Sequence, residues 1–135
     1  MLIHMGEYPL YDLNIRIADL NVFEEEVRRA EGGPLTWHAF RKGDQLLRVG
    51  NLAKGNLTIK DDVRLPLSDK GQQGFNIFFS ARNGMWTQIL RLRLVHHKWT
   101  RAYKVVREAG GKTQVLRQFV DDEFPKDANG EPDWR

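Results

Sequence analysis

The run FNIFFSARNGMWTQILRLRLV (75–95) constrains the fold more than any other part of the chain. Apolar and polar residues alternate on both sides of Asn83-Gly84, which puts successive side chains on opposite faces of a strand. Asn-Gly is the preferred pair for a two-residue type I′ turn, because both central residues need positive φ. With that turn Arg82 faces Met85, Ala81 faces Trp86, Phe79 faces Gln88, Ile77 faces Leu90 and Phe75 faces Leu92. One face then reads Phe75, Ile77, Phe79, Ala81, Trp86, Leu90 and Leu92, with Gln88 its one polar member. Leu94 continues this inward set. The other face carries Asn76, Phe78, Ser80, Thr87, Ile89, Arg91 and Arg93, so both arginines are expected to point outward.

The rest of the chain repeats the theme. Residues 11–17, YDLNIRI, alternate and predict a half-buried strand with Tyr11, Leu13, Ile15 and Ile17 on its inner side. Residues 21–31, NVFEEEVRRAE, change period. Asn21 with Glu24 three residues on resembles a capping box, and Phe23, Val27 and Ala30 share one helical face. Gly32, Gly33 and Pro34 stop this short helix, the only one expected. Turn signals then recur at Lys42-Gly43-Asp44, Gly50-Asn51, Gly55-Asn56 and Lys60-Asp61-Asp62, with short apolar runs between them; SDKGQQG (68–74) is a polar loop. HHKW (96–99) breaks the alternation as a turn or bulge, and TRAYKVVR continues as a strand. Gly110-Gly111 turns it back into TQVLRQFV, setting Val106 against Val115, Val105 against Leu116 and Lys104 against Arg117. Two cations directly opposite destabilise a sheet. Either this register is off by one residue or an anion sits there. Short strands between regular turns predict a mainly β chain: one antiparallel domain over 1–135, a sandwich or a curved half-barrel, with the helix after the first strand.

Charge is distributed unevenly. Residues 81–117 hold nine Lys/Arg against the single acid Glu108, whereas 118–135 hold six Asp/Glu against two Lys/Arg. The acidic, turn-rich tail DDEFPKDANGEPDWR (about 121–135) either packs loosely on the body, is partly mobile, or lies over the basic strands of this chain or of a neighbour. No apolar run reaches membrane-spanning length and the first residues lack the pattern of a secretory signal, which fits a cytoplasmic protein. The chain has no cysteine, which removes disulfides, thiolate catalysis and cysteine–zinc sites.

No catalytic motif stands out. Ser68 and Ser80 sit in no nucleophile elbow. His96 and His97 lack metal-ligand spacing, and no cofactor is implied. Trp86 and Trp37 are expected in the core, and Trp99 and Trp134 in irregular, polar surroundings. What remains is the basic segment. Arg91, Arg93, Lys98, Arg101, Lys104, Arg107 and Arg117 come from consecutive strands, with Trp99 and Tyr103 among them. Arg91 and Arg93 share one face; Arg101 and Arg107 share the phase of Trp99, Tyr103 and Val105. Cations and rings on a sheet suit single-stranded nucleic acid or another polyanion. A non-enzymatic binding domain is thus the leading expectation. A small-molecule or carbohydrate pocket is the second, with Trp37, Phe40, Phe75, Phe78, Phe79 and Trp86 as apolar supply and His38 or an acid for any chemistry. An open apolar cavity would favour it, and a filled core would count against it. A homodimer through the outward pair Phe78 and Ile89 is the third.

Overall fold

The computed structural model describes residues 2–4, 6–55, 57–58 and 63–135. In chain order the elements are β1 (Leu2–Ile3), β2 (Leu10–Asp19), α1 (Leu20–Arg29), α2 (Trp37–Arg41), β3 (Gln45–Leu52), β4 (Leu57–Thr58), β5 (Gln72–Ala81), β6 (Gly84–Val95), β7 (Lys98–Ala109) and β8 (Lys112–Val120). Six strands form one open antiparallel sheet in the order β3-β2-β5-β6-β7-β8, and β1 pairs with β4 beside it. The chain is mainly β, as its alternation requires, and among the described residues no second large sheet stacks on the first. The expected turn at 60–62 and Asn56 lie outside the described residues. VRLPL (63–67) runs irregularly rather than as a strand.

In β2, Leu13, Ile15 and Ile17 are buried, but Tyr11 is 46% exposed. The pairing slips between Leu10 and Asn14, where Asp12 takes φ 50° opposite Asn51. This bulge inverts the alternation, so Leu10 and not Tyr11 packs against the core. It also explains Gly50-Asn51, which is no turn: Gly50 sits inside β3 with φ 79°.

Helix α1 starts earlier than its capping-box pattern suggests. Asp19 is the cap; its Oδ1 accepts from the Asn21 and Val22 amides at 3.0 and 3.2 Å. Asn21 ties the helix to β5 instead, donating to the Gln72 carbonyl at 2.9 Å and accepting from the Gly74 amide at 3.3 Å. Val27 is exposed, while Phe23 meets Phe40 edge-on at 5.9 Å. That contact comes from an element the sequence reading missed. WHAFR is the helix α2, capped by Thr36. Trp37 stacks on Phe40 with 72% of its surface exposed, so it is not a core residue.

The β5–β6 hairpin turns one residue earlier than Asn-Gly chemistry implies. Ala81 pairs with Gly84 around Arg82-Asn83, and Phe75 faces Leu90. None of Arg82, Asn83 or Gly84 has positive φ. Asn83 serves a different purpose: its Nδ2 donates to the Pro9 carbonyl at 2.8 Å, pinning the turn to the start of β2. Gly84 is required by close approach, since a Cβ there would lie 2.6 Å from the Trp86 ring. The register differs from expectation by two residues, which is the side-chain period, so both faces keep their predicted members. The left-handed two-residue turns fall elsewhere, at His96-His97 (φ 48° and 63°) and Gly110-Gly111 (φ 60° and 74°).

In β7–β8, Val106 faces Val115 as expected, and then Leu116 bulges out. Val105 consequently pairs with Arg117, and Lys104 with Gln118. The one-residue slip separates the two cations, and no anion is needed to account for them.

The core lies on the sheet face that carries Leu13, Ile15, Ile17 and Phe75, joined by Leu52. The opposite face is covered at β5 by Leu20 of α1, whose Cδ1 would stand 3.2 Å from a Cβ at Gly74.

Candidate functional site

The register sorts the nine candidate polyanion residues onto two faces. Leu94 pairs with Trp99, Leu92 with Arg101, Leu90 with Tyr103 and Val105 with Arg117. Trp99, Arg101, Tyr103, Arg107 and Arg117 therefore share the apolar face. Arg91 and Arg93 pair with Gly74 and Gln72, and Ile89 with Lys104, which places these cations and Lys98 on the opposite face. The basic segment is not one patch.

The opposite-face arginines do not project into solvent. Arg91 is only 8% exposed. Its Nε donates to the Trp134 carbonyl at 2.8 Å, and its Nη1 to the Phe75 and Leu90 carbonyls and to Asn76 Oδ1 at 3.0 to 3.3 Å. Burial holds its pKa below the ordinary arginine value; repulsion from Arg93 adds to this, and Glu24 opposes it. Arg93 is half-buried and shifted down by the same desolvation. Its guanidinium stands 5.8 Å from the Phe124 ring, and Lys104 Nζ stands 4.5 Å from the Trp134 ring. Lys98 is exposed.

The cover is the acidic tail of this same chain. Asp121 extends the pairing of β7, with its Oδ2 accepting from the Arg101 amide at 2.8 Å and its amide donating to the Arg101 carbonyl at 2.9 Å. Phe124 follows, 3% exposed. A small loop then closes through Asp127 and Glu131 at 2.7 Å and Pro125 and Asp133 at 3.0 Å. The tail docks through rings and carbonyls more than through charge. Asp127 accepts from the amides of Asn129 and Glu131, and Asp133 pairs with Arg135 at 3.0 Å. Arg135 and its neighbours hold the Asp133 carboxyl below the usual range, chiefly by hydrogen bonding.

The interface pair is also altered. Phe78 faces Thr87 and Ile89 faces Asn76, so the two are diagonal neighbours and not opposite. Both are half-buried. The Arg16 guanidinium lies 4.2 Å over the Phe78 ring, and Asp44 holds Arg16 at 3.2 Å.

The apolar face is open toward β7 and β8. Phe119, which the sequence reading did not single out, stacks on Tyr103 at 5.6 Å with 23° between the rings. Arg101, exposed, lies 5.0 Å over Phe119. Arg107 reaches Gln114 at 2.8 Å, and Lys112 ends the row. Among the described residues of β6, β7 and β8 no carboxylate side chain belongs to this face; Asp121, just past β8, does, with its Oδ2 on the Arg101 amide. Phe119 was legible only through the bulge at Leu116, which sets the phase of the last residues of β8. Leu94, expected inside, is 44% exposed at the rim of this surface.

Beside it runs a groove of about 670 Å³, lined by Leu10, Leu13, Phe79, Trp86, Val105 and Leu116, with His4, Gln88 and Arg117 as its polar members. Of the apolar supply expected for a pocket, Phe79 and Trp86 take part. Phe75 fills the core, and His38 is exposed on α2. Among the described residues no three His, Asp or Glu side chains gather to hold a metal, and no helix is long and apolar enough to cross a membrane. No protein-family model, curated protein or solved structure matches the chain.

Proposed function

We propose that the chain is a non-enzymatic binding domain that holds single-stranded nucleic acid, or a polyanion like it, along the β7–β8 end of its apolar face. The observation that carries this reading is the stack of exposed Arg101 and Phe119 on half-buried Tyr103, flanked by Arg107 and Arg117, with the one carboxylate beside it, Asp121, taken up by the Arg101 amide. Unstacked bases lie on aromatic rings and guanidinium planes, while neighbouring cations follow the phosphates. A duplex hides its base faces, so single strands should bind better. Arg91, Arg93 and Lys104 have no part in this surface, because they lie on the opposite face of the sheet, against the tail.

The test is fluorescence anisotropy of labelled single- and double-stranded oligonucleotides at low and physiological salt. Each base stacked on an aromatic ring contributes about 1–3 kcal/mol. Arg101→Ala with Phe119→Ala should therefore weaken single-strand binding by roughly tenfold to a hundredfold. Affinity should fall log-linearly with salt, with a slope of about −0.7 per phosphate contacted. No binding at low salt, or equal binding by the double variant, removes the reading.

The groove favours a second reading. Its volume suits a small ligand, and its lining is apolar with a few polar groups. An apolar amphiphile such as a medium-chain fatty acid should then bind saturably and perturb Trp86 fluorescence. Val105→Trp, which narrows the groove, should reduce that binding. Absence of saturable binding to the unmodified chain rejects this alternative.

A further inference from the structure

We infer that the groove beside the aromatic stack takes one unstacked base of a bound single strand, and that the Gln88 carboxamide reads the donor and acceptor on that base's edge. The inference rests on the single-strand reading above and adds a base-recognising residue to it. The starting point is a polar group out of place. Gln88 stands between Ile77 and Val105 on the apolar face. It is half-buried, and among the described residues nothing hydrogen-bonds its carboxamide. The amide is not sealed in, because no unpaired side-chain oxygen or nitrogen is fully cut off from space. It opens on the groove of about 670 Å³. A second hollow of about 250 Å³ shares Phe79 and Gln88 with that groove.

The chemistry of that amide selects the occupant. A carboxamide offers a donor and an acceptor side by side. A base edge presents the matching pair, as N6 and N7 of adenine do for glutamine. A hydrocarbon chain lying over Gln88 would strand both groups away from water, which is unfavourable. The groove therefore suits a flat ring with a polar edge better than an alkyl chain. Trp86, two residues before Gln88, brings a ring to the same lining. The charge around the groove is complementary to the rest of a nucleotide. Arg107 is exposed and follows Val105 by two residues on the same face. Strand spacing and rise put its Cα about 8 Å from that of Gln88, close enough for one nucleotide to join base edge and phosphate. Arg101, over Phe119, continues the cationic border. An apolar floor with one donor–acceptor pair, edged by cations, is the complement of a base attached to phosphate.

Anisotropy titrations of the full chain with labelled oligoadenylate, and with the same oligomer made abasic, test this. Oligoadenylate should bind more tightly. On binding, the Gln88 side-chain amide and Trp86 indole signals should shift in the NMR spectrum. Gln88→Leu removes the donor and acceptor at similar volume. It should lower oligoadenylate affinity about tenfold, the weight of one lost bidentate base contact, and so narrow the advantage over the abasic oligomer. Should that variant fail to fold, the shift map of the unmodified chain decides the matter. Oligoadenylate binding that needs Arg101 and Phe119 but is unchanged by Gln88→Leu overturns this inference and leaves the single-strand reading standing. So does binding that leaves the Gln88 and Trp86 signals unmoved. No single-strand binding by the unmodified chain overturns both.

Discussion

Phe75→Ala should destabilise the protein by about 3–5 kcal/mol, the range for removing a large aromatic side chain from a close-packed core. Phe75 is fully buried. It sits on a central strand, paired with Asp19 on one side and Leu90 on the other, in the cluster of Leu13, Ile15, Ile17 and Leu52. Strands on both sides fix its surroundings, so the cavity left behind has little freedom to collapse. Domains of this size are stable by about 5–15 kcal/mol in total, so the urea midpoint should fall steeply. Met85→Ala, on the same hairpin but 73% exposed, should change stability by no more than about 0.5 kcal/mol. A loss below about 1 kcal/mol at Phe75 would place the core elsewhere.

Phe124→Ala should have an effect of similar size, about 3 kcal/mol, but of different character. Its ring is 3% exposed and is the main apolar anchor of a segment otherwise held by main-chain hydrogen bonds. Without it the tail should open before the sheet does. Local openings of this kind are read by amide exchange. Protection should drop first at Asp121 and Asp133, whose amides donate to Arg101 and Pro125, while β5 and β6 stay protected. Unchanged exchange at those two amides would show that the main-chain contacts hold the tail by themselves.

What could be read in advance followed from period and parity. The faces of β5 and β6 were correct although the turn was misplaced, because an error of two residues leaves side chains where they were. Val106 against Val115 was correct up to Leu116, beyond which no local signal marked the extra residue except the improbable meeting of Lys104 and Arg117. Asn21 offered a good cap, but Asp19, two positions earlier and the last residue of β2, took it. WHAFR carries too few residues to show a period, so α2 was hidden. The burial of Arg91 was invisible for a different reason. LRLRL looks like any strand with a wet outer face, and only the return of Trp134 to Arg91 and of Phe124 to Arg93, from far along the chain, changes that. The candidate surface was therefore half legible: Trp99, Arg101, Tyr103, Arg107 and Arg117 were brought together, and Arg91, Arg93, Lys98 and Lys104 were not.

The extra residue at Leu116 bears on solubility. Strand β8 is an outer edge of the sheet, exposed over nearly its whole length, and it displays Val115, Leu116 and Phe119 to water. A regular edge of that composition is a template on which another chain can add a strand. The bulge breaks the even spacing of its free N–H and C=O groups, and Lys112 and Arg117 place charge on either side of the break. The same irregularity that sets Phe119 beside Tyr103 thus works against edge-to-edge addition of another strand at β8.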